Sequence, residues 1–154
     1  MDGRLWGVVV DSFDKLLIPG LTVTIPLTLI SFVVGLALAI AVALVRVAKV
    51  PVIQRIAQFY VWVFRGTPLL VQLFVIFFGL PSVGIVVPAF PSAIIAFSLN
   101  VGAYASETLR GAILAVPKGQ IEAGLTTNLN YLTIMRLIVL PQAFKSAFPA
   151  LFNT

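Results

Sequence analysis

Hydrophobic residues fall in runs longer than a soluble helix needs, and charge is confined to the gaps between them. Residues 16–45 hold no charged side chain, and neither do residues 66–106. An α-helix needs about 20 apolar residues to cross a hydrocarbon core of about 30 Å. The first run predicts one membrane span over 22–45. The second is too long for one helix, and Pro81, Gly84, Pro88 and Pro91 supply a turn within it. It predicts a second span over 58–80 and a third over 92–110. A fourth apolar run over 134–154, carrying Arg136, Pro141, Lys145 and Pro149, reads as a partial fourth span. Residues 112–132 form the polar loop before it. The predicted fold class is all-α: a polytopic transmembrane helical bundle of three full spans and part of a fourth, in one domain over 1–154. A cleaved signal peptide is the wrong reading of the first run, which is too long and follows three Asp rather than a basic cluster.

Composition narrows the chemistry. Hydrophobic residues make up 60% of the chain and charged ones 10%, with mean hydropathy +1.12. A soluble domain carries about 25% charged residues. There is no Cys and no His, which removes the thiolate, the commonest metal ligand and the usual general base. No catalytic residue and no metal site is expected. The net charge of +5 reflects membrane topology rather than a nucleic-acid surface, because no basic patch interleaves with stacking aromatics. The 46–65 segment carries Arg46, Lys49, Arg55 and Arg65 without an acid, the 81–91 turn carries no charge, and Arg110, Lys118 and Arg136 follow the third span. The positive-inside rule then places the N-terminus and 81–91 outside, and 46–65 and 110–136 in the cytoplasm.

The polar loop holds Glu122-Ala123-Gly124, then Asn128, then Leu140-Pro141. Residues 121–127 can form a short helix on the membrane surface. Asn128 suits the residue past its end, where positive φ is needed. Gly124 costs about 1 kcal/mol relative to Ala in a helix. The loop resembles the cytoplasmic EAA loop of binding-protein-dependent ABC permeases, with Gly124 in place of the second Ala and Asn128 in place of a Gly. Phe64-Arg65-Gly66-Thr67-Pro68-Leu69-Leu70-Val71-Gln72 is similar to the FRGTPLLVQ signature of polar amino acid permeases. Gly102 to Gly111, GAYASETLRG, is similar to their GAYxAExxRG signature, and Val116-Pro117-Lys118-Gly119-Gln120 and Leu140-Pro141-Gln142-Ala143 follow in register. The resemblance, to the histidine/glutamine/arginine class, runs over residues 12–154.

The resemblance implies a type I ABC importer permease in a bacterial inner membrane. Glu122, Ala123, Gly124 and Asn128 would dock on a separate ATPase subunit. Its partners would be that ATPase, a second permease subunit, an external substrate-binding protein and membrane lipid. No cofactor is expected in the chain itself. No GxxxxGK[ST] phosphate loop is present, so ATP would be bound by the partner. Permeases of this class continue through a complete fourth and a fifth span. On that ground residues 1–154 are expected to insert without transporting alone, with Ser98 and Asn100 left facing lipid or an empty groove.

Four residues are candidates for the substrate path: Arg65, Thr67, Ser98 and Asn100. The Arg65-Gly66-Thr67-Pro68 stretch must kink or break the second span, and transporters build substrate sites at such breaks. The alternative is an interfacial stop with Arg65 snorkelling to lipid phosphate. Ser98 shares a small-residue face with Gly102 and Ala105, suited to close helix packing. Asn100 either bonds a polar substrate or holds the bundle by an interhelical bond. Glu107 and Arg110, i and i+3, are expected to pair. Two other readings stand beside the permease. A self-sufficient secondary transporter or channel needs intramembrane ionisable groups, and the first two spans offer none away from Arg65. A non-productive membrane fragment is the other.

Overall fold

The computed structural model describes residues 3–48 and 50–153, and among them every regular element is helical. Helix α1, Gly3–Pro19, runs through a π-helical turn, Gly20–Thr24, into α2, Ile25–Ala48. Helix α3, Pro51–Gly66, begins with proline in its first turn, where the missing N–H costs nothing. It meets α4, Leu69–Phe74, which passes through a second π turn, Val75–Gly79, into the single turn α5, Leu80–Ser82. Helix α6, Ala89–Ala115, is the long central element. The short α7, Lys118–Thr126, and α8, Tyr131–Ile134, follow. A third π turn, Met135–Val139, leads into α9, Leu140–Leu151.

Among the described residues, three helices are long and apolar enough to cross a membrane: Lys15–Ala48, Ala89–Ala115 and Tyr131–Leu151. The expected segments 22–45, 92–110 and 134–154 overlap them, with Thr154 outside the described residues. The segment 58–80 differs. It is not one straight helix, because Pro51–Gly66 and Leu69–Ser82 meet at 107°. Proline clashes with an α-helical residue before it, and Thr67 accordingly sits at φ −120°, ψ 141°.

The three π turns share a cause. Ile25, Leu80 and Leu140 each donate their N–H five residues back, to Gly20, Val75 and Met135. Each is followed directly by a proline: Pro26, Pro81 or Pro141. A proline ring collides with the carbonyl four residues earlier, and one widened turn moves that carbonyl aside without ending the helix. The helix containing Pro81 thus runs on to Ser82, and the chain turns at Gly84, whose φ is 85°.

The core is a seam of small residues. Helices α2 and α6 pack along their length. A Cβ on Gly35 would lie 2.8 Å from the Val101 side chain, and one on Gly102 would lie 2.7 Å from the Tyr60 hydroxyl. Ala39, Ala43, Ala105 and Leu109 continue the seam, and Ile134, Met135, Val139, Ala143 and Ala147 bring the last helix against it. Without a hydrophobic drive between helices in lipid, such close backbone approach is what associates them. The outward faces are apolar and exposed, as at Val33, Trp62, Phe78 and Leu137, which suits a hydrocarbon surround.

Candidate functional site

Three features carry polar chemistry among the described residues. The first is the break between α3 and α4. Ending α3 at Gly66 leaves the Val63 and Phe64 carbonyls without intrahelical partners, and a buried polar group left unsatisfied is costly. Side chains meet them. Thr67 Oγ1 donates to the Val63 carbonyl at 2.9 Å. The Gln72 amide nitrogen lies 2.8 Å from the Phe64 carbonyl, 3.0 Å from the Thr67 carbonyl and 3.0 Å from Thr67 Oγ1. Gln72 is buried, and its Oε1 accepts from Asn100 Nδ2 on α6 at 3.1 Å. Tyr60 ties the other side of α3 to α6 by donating to the Leu99 carbonyl at 2.5 Å.

The second feature is a cluster on Glu107. Arg46 of α2 and Arg110 of α6 both bond its carboxylate, Arg110 through Nε at 2.8 Å as well as through Nη2. Arg65, at the end of α3, brings Nη1 to within 4.0 Å of the same carboxylate and lies 5.4 Å over the Tyr104 ring. Three guanidinium groups thus converge on one carboxylate, and the Nε of Arg46 is buried without a partner. The i, i+3 pairing of Glu107 with Arg110 follows from helical spacing. The pairing with Arg46, sixty-one positions away, arises only once α2 packs on α6.

The third feature is the corner around α7. This helix starts three residues before the expected 121–127 segment. Asn128 has φ 62°. Its N–H donates to the Leu125 carbonyl at 3.0 Å, and the Leu129 N–H reaches the Gly124 carbonyl at 3.1 Å. This is the paired 5→2 and 6→1 closure of a Schellman end, at the residue the sequence marked for positive φ. Glu122 and Ala123 face outward. Gly124 is buried, and a Cβ there would lie 2.7 Å from Ile134 Cγ1 and 2.9 Å from its Cδ1. Gly124 therefore does more than weaken a helix, since its bare backbone lets α7 lie against the start of the last span. Asn130 then caps α8 by accepting from the Thr133 N–H at 2.8 Å.

The four path candidates separate. Thr67 and Asn100 belong to the hydrogen-bonded break. Arg65 stands at its edge, 43% exposed. Ser98 lies apart, buried, donating to the Ser31 carbonyl at 3.3 Å in the α2–α6 seam. The expectation that Ser98 and Asn100 face lipid or an empty groove is overturned, because both find partners within the chain: Ser31 on α2 and Gln72 on α4. Sequence reasoning quoted Gln72 only as part of a signature. A Gln four residues past a helix-breaking proline, inside an apolar run, was the available signal.

A family profile, binding-protein-dependent transport system inner membrane component, matches residues 32–154. The chain belongs to this family. It is 50% identical over 149 residues to the L-cystine transport system permease protein TcyB of Bacillus subtilis (strain 168), covering 97% of this chain and 64% of that protein. It is 41% identical over 138 residues to the arginine transport system permease protein ArtQ of the same organism, covering 89% and 63%. The chain thus spans slightly less than two thirds of these relatives. A solved amino acid ABC transporter, crystallised with histidines, superposes with TM-score 0.83 at 36% identity, over 95% of this chain and 68% of that one. The MetNI methionine ABC transporter in an inward-facing conformation superposes with TM-score 0.72 at 23% identity, over 92% and 71%, and shares the fold. With helices long and apolar enough to cross a membrane among its described residues, the chain is a transmembrane member of that family.

Proposed function

We propose that this chain acts as the permease subunit of an ATP-driven importer for polar or basic amino acids, with hydrolysis performed by a separate ATPase. The observation that supports it best is the α7 corner. A short helix presents Glu122 and Ala123 outward, is closed by Asn128, and is packed through Gly124 on Ile134 at the start of the last span. Such a helix can seat in a groove on the ATPase and pass its displacement to the bundle. Nucleotide-driven closure of two ATPase subunits would rock two permease subunits between inward and outward states, a rigid-body switch. An external binding protein would deliver substrate at the 81–91 side. The N-terminus lies outside and the 112–132 loop in the cytoplasm, on the strength of the Lys/Arg asymmetry.

Proteoliposomes holding this chain together with a complete second permease subunit, the ATPase and the binding protein test the reading. ATP-dependent uptake of labelled arginine, glutamine, histidine or cystine is expected. Gly124→Pro is expected to lower substrate-stimulated ATP hydrolysis while leaving insertion intact, since proline costs about 3 kcal/mol in a helix interior. Undiminished stimulation in that variant would rule out a docking helix. The chain has no Cys, so a single Cys at Ser82 reports topology. Labelling of that site only from the cytoplasmic side would overturn the orientation.

A further inference from the structure

The break between α3 and α4 is closed mainly by one side chain. Gln72 projects back across Pro68 from the first turns of α4, is 7% exposed, and engages three segments at once. Its amide nitrogen takes the freed Phe64 carbonyl at the end of α3 and the Thr67 carbonyl at the turn, and its oxygen takes Asn100 of α6. The amide orientation is forced. Reversed, its oxygen would face two carbonyl oxygens and its nitrogen would face a donor. The break thus meets its Val63, Phe64 and Thr67 carbonyls with side chains of its own two residues, Thr67 and Gln72. The same amide joins it to the helix that leads, through Val116 and Pro117, into α7.

We infer that Gln72 is the positioning residue of this transporter's discontinuous helix. Through Phe64 and Thr67 it fixes the bend. Through Asn100 it sets α4 on α6, so that the break travels with α6 when α7 is displaced. The geometric half stands on the structure alone, and the transport half rests on the permease reading. Substitutions separate the two roles. Gln72→Met conserves volume and removes both. Asn100→Ala removes only the tether to α6. The pair Gln72→Asn with Asn100→Gln exchanges side-chain lengths, which restores the tether and leaves the bend without its full closure.

The experiment uses spin-label pairs in the Cys-free chain, reconstituted in nanodiscs. Positions Phe59 and Phe74, 64% and 52% exposed, report the bend; Phe74 and Leu114, the latter 60% exposed, report α4 against α6. Gln72→Met is expected to broaden both distance distributions. Asn100→Ala is expected to broaden only the second, and the exchanged pair to narrow the second again while the first stays broad. In the assembled transporter, Asn100→Ala is expected to lower uptake per ATP hydrolysed about fivefold, the scale of one lost hydrogen bond, with restoration in the exchanged pair. An unchanged Phe59–Phe74 distribution in Gln72→Met overturns the assignment of the bend. An unchanged Phe74–Leu114 distribution in Asn100→Ala overturns the tether. Should Gln72→Met fail to fold, Asn100→Ala and the exchanged pair still decide both parts. Distances that behave as expected in a protein whose unaltered form transports no amino acid would overturn the permease reading and leave the geometry standing.

Discussion

At Pro68 the backbone opens and turns through 107°, whereas at Pro141 the helix carries on from Tyr131 to Leu151 with one widened turn. Both prolines withdraw an N–H and press on the carbonyl four residues back. What surrounds them differs. Before Pro68 stand Gly66 and a β-branched Thr67 in extended conformation, and Gln72 lies within reach of the freed carbonyls. Before Pro141 stands Leu140 in helical conformation. Met135 and Val139 are buried in the core on one side, and Gly124 lets α7 press on Ile134 and Ile138. One irregularity is held by hydrogen bonds and charge, the other by contact. Proline only weakens a helix locally, and the partners available to the freed groups decide whether the chain breaks or bulges.

The comparison predicts that removing charge damages the break and that adding volume damages the corner. The largest effect is expected from Glu107→Gln. It leaves Arg46, whose side chain is 13% exposed, beside Arg65 and Arg110 without a neutralising charge. Breaking a buried pair costs about 3–5 kcal/mol, and with Glu107 at 23% exposure about 2–3 kcal/mol is expected here. Thermal unfolding in nanodiscs should show it, with the Phe59–Phe74 distance broadened and the α7 corner unchanged. A melting temperature equal to that of the unaltered protein would remove charge from the account of the break.

Gly124→Ala should act on the corner instead. The new Cβ must displace Ile134, which has no exposed surface. Overpacking of this kind costs about 1–3 kcal/mol. Ile134→Val in the same chain should recover part of the loss, because it removes the Cδ1 that would lie 2.9 Å from the new Cβ. If Gly124→Ala instead stabilises the protein, helix propensity outweighs contact and the corner is looser than its geometry.

The smallest effect belongs to Asn128. Its φ of 62° is reached by glycine without strain and by asparagine at modest cost. Asn128→Gly should change stability by less than about 1 kcal/mol, while Asn128→Val, β-branched, should lower it by more. Equal melting temperatures for the two variants would show that the Schellman end does not constrain the corner.

Much of this was legible along the chain. Charge-free runs define where membrane helices lie, because a bilayer tolerates neither charge nor unbonded backbone over that length. Pro68 after Thr67 foretold the interruption, and Asn128 foretold a helix end, since both are restrictions on local φ and ψ. The pairing of Glu107 with Arg110 needed only helical spacing.

Contacts between distant segments were not legible. Nothing near Gln72 in sequence reveals that Asn100 will meet it, and nothing near Glu107 reveals Arg46. Gly124 looked like a local weakness, because its value lies in Ile134 across the corner. Asn100 was open between a polar substrate and an interhelical bond, and Ser98 stood on a packing face; that Gln72 and Ser31 are their partners is decided only by helix packing. The sequence by itself determined which stretches are helical, which lie in lipid and where the backbone must depart from the helix. Tertiary structure alone decided how each departure is resolved and which polar groups end up together. Dihedral restrictions and solvent preference act within a few residues, whereas hydrogen bonds and close contacts depend on which helices come to lie side by side.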